Sequence, residues 1–184
     1  MSLPPDAEAP EQVRWQGDYI TALTRGRWEY VSRAKGIGAA VILAIDSDGD
    51  DGDHVILVEQ YRVSLGRRCI EPPAGLVGDE EHSRGEDPKI AAARELEEET
   101  GYRAGVMETV GEFYSSPGMV SESFTLFRAT DLVKVGEGGG VDGENITVHR
   151  VPLATIGEAI ADFRQRGFAI DVKLLTLLGP ALLA

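Results

Sequence analysis

The stretch at 86–102, E-D-P-K-I-A-A-A-R-E-L-E-E-E-T-G-Y, constrains this chain more than any other. Asp87 followed by Pro88 is a helix start, because an Asp side chain accepts from free backbone N–H groups and Pro fits the first helical position; Gly101 supplies the stop. The pattern predicts about four turns of helix. At about 100° per residue, Glu95, Glu98 and Glu99 share one arc of roughly 100°, with Arg94 beside it. Like charges at this spacing repel by about 0.2–0.5 kcal/mol per pair, and no lysine follows four residues later to offset them. A solvated acidic surface is the bland explanation of such a run. The spacing favours a face that holds a cation.

The rest of the composition limits what that face serves. With 184 residues and 42% hydrophobic content, the chain is long enough for one domain with a core and too short for two full ones. A net charge of −13 repels a phosphate backbone or an anionic membrane, so neither nucleic acid nor membrane is expected as a partner. An acidic protein acting on an anionic nucleotide needs metal to mediate. Cys69, the single cysteine, excludes an internal disulfide and a cysteine-rich zinc site and fits a cytoplasmic location. His54, His82 and His149 have no ligand spacing. Residues 1–12 are acidic and Pro-rich with no signal-peptide character, and are expected to be a loose, flexible tail.

Along the chain, 13–20 and 27–33 are expected to be two strands joined at 24–26. The run G-A-A-V-I-L-A-I at 38–45 has the pattern of a strand buried on both sides, and 54–62 returns as a second. The aspartate-rich segment 46–53 lacks the glycine and glutamate of a calcium loop and is expected to be a hairpin loop. Strands are expected at 68–73, 105–114, 123–132 and 146–151, with helices at 153–166 and 172–183. The glycine-rich segment 135–145 lacks a P-loop ending, so its glycines are expected to mean mobility.

R-E-L-E-E-E-T-G-Y at 94–102 resembles the core of the Nudix box, and Glu86 stands eight residues before Arg94, where that box places its first glutamate. One departure is clear: the box's opening glycine would fall at position 80, which is Glu80, and the nearest equivalent is Gly75, so 77–85 contains a five-residue insertion. The resemblance implies the α/β class: a Nudix-type α/β/α sandwich with a mixed sheet over 37–184, preceded by a short β-rich extension at 13–36. It also implies Mg2+, with Mn2+ as a substitute, two or three ions in all. Glu95, Glu98, Glu99 and the Ala74 carbonyl would hold them, with Glu98 and Glu99 counted among the catalytic residues. Glu86 and Arg94 would form a supporting ion pair that orients these carboxylates.

Further stretches resemble the ADP-ribose and ADP-sugar pyrophosphatase branch. E-Q-Y-R at 59–62 and C-I-E-P-P-A-G-L at 69–76 place Arg62 and Glu71 as substrate residues by that resemblance. Pro117 lies sixteen residues after Gly101 in S-S-P-G-M-V-S-E, and Pro117, Gly118 and Glu122 match the family's substrate loop; physics alone predicts a tight turn there. G-E-N-I-T-V-H at 143–149 resembles the segment carrying the catalytic base, at Glu144, with Glu137 and Asp142 as rivals. Trp15 and Trp28 match tryptophans that stack adenine in homodimeric relatives, with core packing as the alternative. The implied reaction is hydrolysis of ADP-ribose or an ADP-sugar to AMP and a sugar phosphate. Three alternatives stay open: a non-catalytic ADP-ribose sensor, a hydrolase of another nucleoside diphosphate sugar such as GDP-mannose, and an isopentenyl diphosphate isomerase using Cys69.

Overall fold

The computed structural model describes residues 3–34, 37–47, 52–78, 85–141, 143–175 and 177. Asp87 starts the first helix as its sequence demands: its side chain accepts from the Lys89 amide at 2.9 Å, and Pro88 occupies the first turn of α1, Pro88–Thr100. Gly101 ends the helix at φ 71°, a left-handed conformation that suits glycine.

The strands of the body are β4 (Gly38–Asp46), β5 (His54–Arg62), β6 (Arg67–Glu71), β7 (Ala74–Val77), β8 (Tyr102–Tyr114), β9 (Ser123–Lys134), β10 (Thr147–Pro152) and β11 (Ala169–Ile170). The order across the sheet is β11-β6-β5-β4-β9-β8, with β10 added on β5 and β7 on β4. The β4–β9 and β6–β11 pairs are parallel and the others antiparallel, so the sheet is mixed as expected. Side chains alternate between two cores. Ile42, Ala44, Ile56 and Phe127 pack under Ala92 and Leu96 of α1 on one face. Val55, Leu57 and Ile70 pack under Ile156, Ile160 and Phe163 of the second helix, α2 (Ile156–Gln165), on the other. The result is the α/β/α sandwich. Of the helix expected at 172–183, the start is a 3-10 turn at Val172–Leu174, and most of the remainder lies outside the described residues.

One expectation is corrected at the N-terminus. Instead of two strands there are three, β1 (Glu11–Gln16), β2 (Ile20–Arg25) and β3 (Trp28–Arg33), forming their own antiparallel sheet. The alternating run is cut at 17–19, where the Gly17 amide donates to the Ile20 carbonyl at 2.9 Å. The segment before β1 contains a hydrogen-bonded turn from Pro4 to Ala9, and Asp6 holds Arg27 at 3.0 Å. Of the expected hairpin loop at 46–53, residues 48–51 lie outside the described residues, as do residues 79–84 of the segment 77–85 that contains the insertion. Asp46, at the mouth of that loop, is buried and takes Arg150 at 2.6 Å. No helix among the described residues is long and apolar enough to cross a membrane.

Leu96 is fully buried between α1 and the sheet, whereas Ile90 on the same helix is exposed. Leu96→Ala is expected to cost about 2–5 kcal/mol in urea denaturation, and Ile90→Ala to stay within about 0.5 kcal/mol. Equal losses would show that the helix is not seated as described.

Candidate active site

The acidic face of α1 does not project into solvent. Glu99 lies one turn on from Leu96, on the stripe that faces the sheet, and only 5% of it is exposed. Its carboxylate accepts from the Ala74 amide at 3.0 Å. Burial pushes the Glu99 carboxyl up to about 8, opposed by the Ala74 hydrogen bond and reinforced by the nearby charges of Glu95 and Glu144. Glu95 is shifted upward too, chiefly by burial and against the pull of Arg94. Its side chain lies across Gly75 of β7, where a Cβ would meet Glu95 Cδ at 2.0 Å. A glycine at 75 is what allows β7 and α1 to approach this closely.

Arg94 gathers the remaining charge. Its Nη1 lies 3.0 Å from Glu95 and 3.1 Å from Glu98, and its Nη2 is 3.8 Å from Glu86. The guanidinium therefore serves three carboxylates. Glu97 turns to the other side and takes Arg103 through two contacts of 2.9 Å. Among the described residues no three acidic, histidine or cysteine side chains converge closely enough to grip an ion. Glu95 and Glu98 rest on Arg94, and Glu99 rests on the Ala74 amide. The donor chemistry nevertheless suits a hard divalent cation: all candidate ligands are oxygens, burial pushes the Glu99 carboxyl up against the pull of Ala74 and Arg62, and the buried Glu86 Oε2 has no hydrogen-bond partner.

Beside this face opens a cleft of about 360 Å3. Arg62, Glu71, Ala74, Glu95, Glu99 and Glu144 all line it. Six of the residues singled out from sequence are thus brought together. Arg62 meets Glu71 through a bidentate pair at 2.6 and 2.8 Å, which keeps the guanidinium charged despite its partial burial. Glu137 is not among the lining residues, and Asp142 lies outside the described ones. Glu86, Arg94 and Glu98 are not among the lining residues.

The cleft also contains residues that sequence reasoning missed. Arg33 of β3 pairs with Glu122 at 2.6 Å, and Lys173 pairs with Asp171 with Phe124 6.0 Å away. With Arg62 they supply three cations to an acidic protein's cleft. Arg33 sits in the N-terminal sheet, and Lys173 reaches the site because β11 pairs with β6, a contact no local pattern announces.

Trp28, Pro117 and Gly118 line a second cavity of about 290 Å3 together with Arg25 and Tyr30. The N-terminal sheet is stitched to this loop: the Val31 amide donates to the Met119 carbonyl at 3.0 Å, and the Ser121 amide to the Val31 carbonyl at 2.9 Å. Trp28 is 55% exposed, so it does not serve the core. Trp15 is also exposed, folds over Gly17, and does not line this cavity. Cys69 is buried, and desolvation with the charges of Glu71 and Asp171 pushes its thiol up to about 12. That removes the thiolate chemistry an isomerase reading would want.

A mixed sandwich with a carboxylate-bearing helix packed on a glycine-containing strand defines the class. The NUDIX domain matches residues 35–171, and the chain belongs to that family. An uncharacterized Nudix hydrolase of Schizosaccharomyces pombe is 34% identical over 90% of this chain and 81% of its own length. A GDP-mannose pyrophosphatase of Cronobacter sakazakii is 38% identical over 78% of this chain and 72% of its own. An ADP-ribose pyrophosphatase of Bacillus subtilis is 38% identical over 63% of this chain, which spans 58% of that relative's length. The crystal structure of an ADP compounds hydrolase superposes with a TM-score of 0.71 at 24% identity, covering 99% of this chain and 96% of that one. That likeness is one of fold.

Glu99 gives the site a pH signature. The unfolded chain ionises this group near 4.5, whereas the folded chain holds its proton to about 8, so the folded state binds more protons between those values. Its contribution to stability therefore falls as pH rises from 4.5 to 8. The difference in Tm between Glu99→Gln and the parent, both in chelator, is expected to grow in favour of the variant across that window. Parallel Tm profiles would contradict the burial of an uncompensated carboxylate.

Proposed function

We propose that the chain catalyses Mg2+-dependent hydrolysis of the diphosphate in ADP-ribose or a related ADP-sugar, giving AMP and a sugar phosphate. The observation that carries this reading is the single cleft lined by Glu95 and Glu99 of α1, the Arg62–Glu71 pair and Glu144. Glu95, Glu98 and Glu99, with the Ala74 carbonyl, would hold two or three Mg2+ ions, with Mn2+ as a substitute. Bound there, divalent cations would neutralise the diphosphate and favour an ionised water.

The chain's own groups divide the remaining work. Glu144 accepts the proton of the attacking water, whose oxygen forms the new P–O bond as the bridging P–O bond breaks. The electron pair of the broken bond stays on the leaving phosphate. Arg62, fixed by Glu71, orients the diphosphate from the opposite wall. Glu86 and Arg94 hold the helix carboxylates in register. Pro117 and Gly118 shape the substrate loop, and Trp28 offers an exposed indole beside it for stacking a base, with Trp15 as a second candidate supplied across a homodimer. Exposed Val13, Trp15 and Tyr19 on the N-terminal sheet are the surface on which such a dimer would form. A single buried cysteine, with no second to form an internal disulfide, suits a cytoplasmic enzyme.

Hydrolysis of GDP-mannose is the second reading, supported by the identity to GDP-mannose pyrophosphatases. A sensor that binds without cleaving is disfavoured by the complete set of glutamates on α1 and at 86.

Incubation with Mg2+ and a panel of nucleoside diphosphate sugars decides among these. AMP released from ADP-ribose is expected, GMP from GDP-mannose would select the second reading, and no cleavage of any member would select the sensor. Glu99→Gln is expected to lower kcat at least about a thousand-fold, equivalent to roughly 4 kcal/mol of barrier, with nucleotide affinity retained. Glu144→Gln is expected to cost about 10²–10⁴-fold in kcat without loss of metal binding. An unchanged rate in Glu144→Gln would move the base to Glu137 or Asp142.

A further inference from the structure

The last three carbonyls of α1 and that of its capping Gly101 have no partners within the helix, yet each is satisfied by one other segment. Glu98 O accepts from the Gly140 amide at 3.1 Å, and Glu99 O from the Gly139 amide at 2.8 Å. Thr100 O accepts from Lys134 Nζ at 2.8 Å. Gly101 O accepts from the amides of Val135 and Gly136 at 2.8 and 3.2 Å. The segment is the end of β9 and the start of the glycine-rich loop that carries Glu144.

Its glycines are needed for contact. Gly138, at φ +71°, lies so close to the helix end that a Cβ would stand 2.4 Å from the Thr100 carbonyl carbon; a Cβ on Gly101 would stand 2.1 Å from the Gly136 oxygen. The loop then closes on itself. The Ile146 amide donates to the Gly139 carbonyl at 3.2 Å, and the Val141 amide to the Glu144 carboxylate at 2.9 Å. Arg68 Nη2 holds the Asn145 carbonyl at 3.0 Å, just past Glu144. A Cβ on Gly140 would come within 2.2 Å of Glu144 Oε2. The Glu144 carboxylate is therefore one close contact away from the residue whose amide is bonded to the backbone of Glu98.

We propose that residues 134–140 clamp the base loop onto the backbone of the residues that present the α1 carboxylates, so that Glu144 and the metal-binding face are positioned as one unit, with Gly138 and Lys134 as positioning residues. The inference rests on the reading of Glu144 as the base. It replaces a freely moving lid with a loop whose root follows the helix end.

Two variants test it in the full chain, Gly138→Ala, which pushes the root off Thr100, and, should the alanine not fold, Lys134→Met, which removes the Nζ contacts to the Thr100 and Glu137 carbonyls and to the Tyr102 ring but leaves the glycine contacts in place. Each is expected to lower kcat about ten-fold or more while leaving KM and the Mg2+ concentration for half-maximal activity within about two-fold. Combined with Glu144→Gln, neither should lower the rate further, because both act through that carboxylate. Full losses in the Glu144→Gln background would overturn the proposal. If Glu144→Gln alone leaves the rate intact, the base assignment fails, and the clamp is judged by amide hydrogen exchange. Mg2+ is expected to slow exchange at Gly139 and Gly140 in the parent and not in Glu99→Gln; exchange insensitive to Mg2+ in the parent would overturn it.

Discussion

The site depends on one buried carboxylate whose desolvation the nearby Ala74 amide and Arg62 do not offset. Glu99 occupies the core-facing stripe of α1, one turn from Leu96, where an apolar side chain would be the ordinary choice. A single amide hydrogen bond from Ala74 does not offset its desolvation, and the carboxyl keeps its proton to about 8. Such a position weakens the fold at neutral pH unless a cation is brought to it. Around it, Arg94 contacts Glu95 and Glu98, so the helix arrives with its charges already grouped. The strain is placed where the chemistry needs it.

The rest of the molecule positions partners around that point. β7 brings Ala74 and Gly75 against the helix, β5 and β6 deliver Arg62 and Glu71 as a bidentate pair, and the glycine loop places Glu144 from beyond the helix end. The N-terminal sheet extends the substrate side, since β3 is bonded to 119–121 and sends Arg33 to Glu122. Thus a chain with a net charge of −13 presents Arg33, Arg62 and Lys173 within the cleft.

What was legible in the sequence was set by local chemistry. Asp87, Pro88 and Gly101 specify the ends of α1 by capping and φ preference alone, and the apolar runs of β4 and β5 have the pattern of buried strands, which they are. What failed depended on tertiary contact. The four-residue β7 has no strand signal of its own and exists because β4 pairs with it. Residues 13–20 alternate as one strand would, but Gly17 turns the chain within them. The glycines of 135–145 show the sharpest ambiguity: a missing Cβ permits both mobility and close approach, and only the helix end they meet selects the second. Arg33 and Lys173 carried no motif, and their role comes from where β3 and β11 lie.

The central claim is that the buried carboxylates of α1 form a divalent-cation site. Titration of the full chain with Mn2+, followed by the loss of the free-ion signal in electron paramagnetic resonance, tests it without requiring a substrate. The account predicts bound Mn2+ in the parent that Mg2+ displaces, and no such binding in a folded Glu95→Gln, Glu99→Gln double variant. Equal Mn2+ binding by parent and double variant would contradict it.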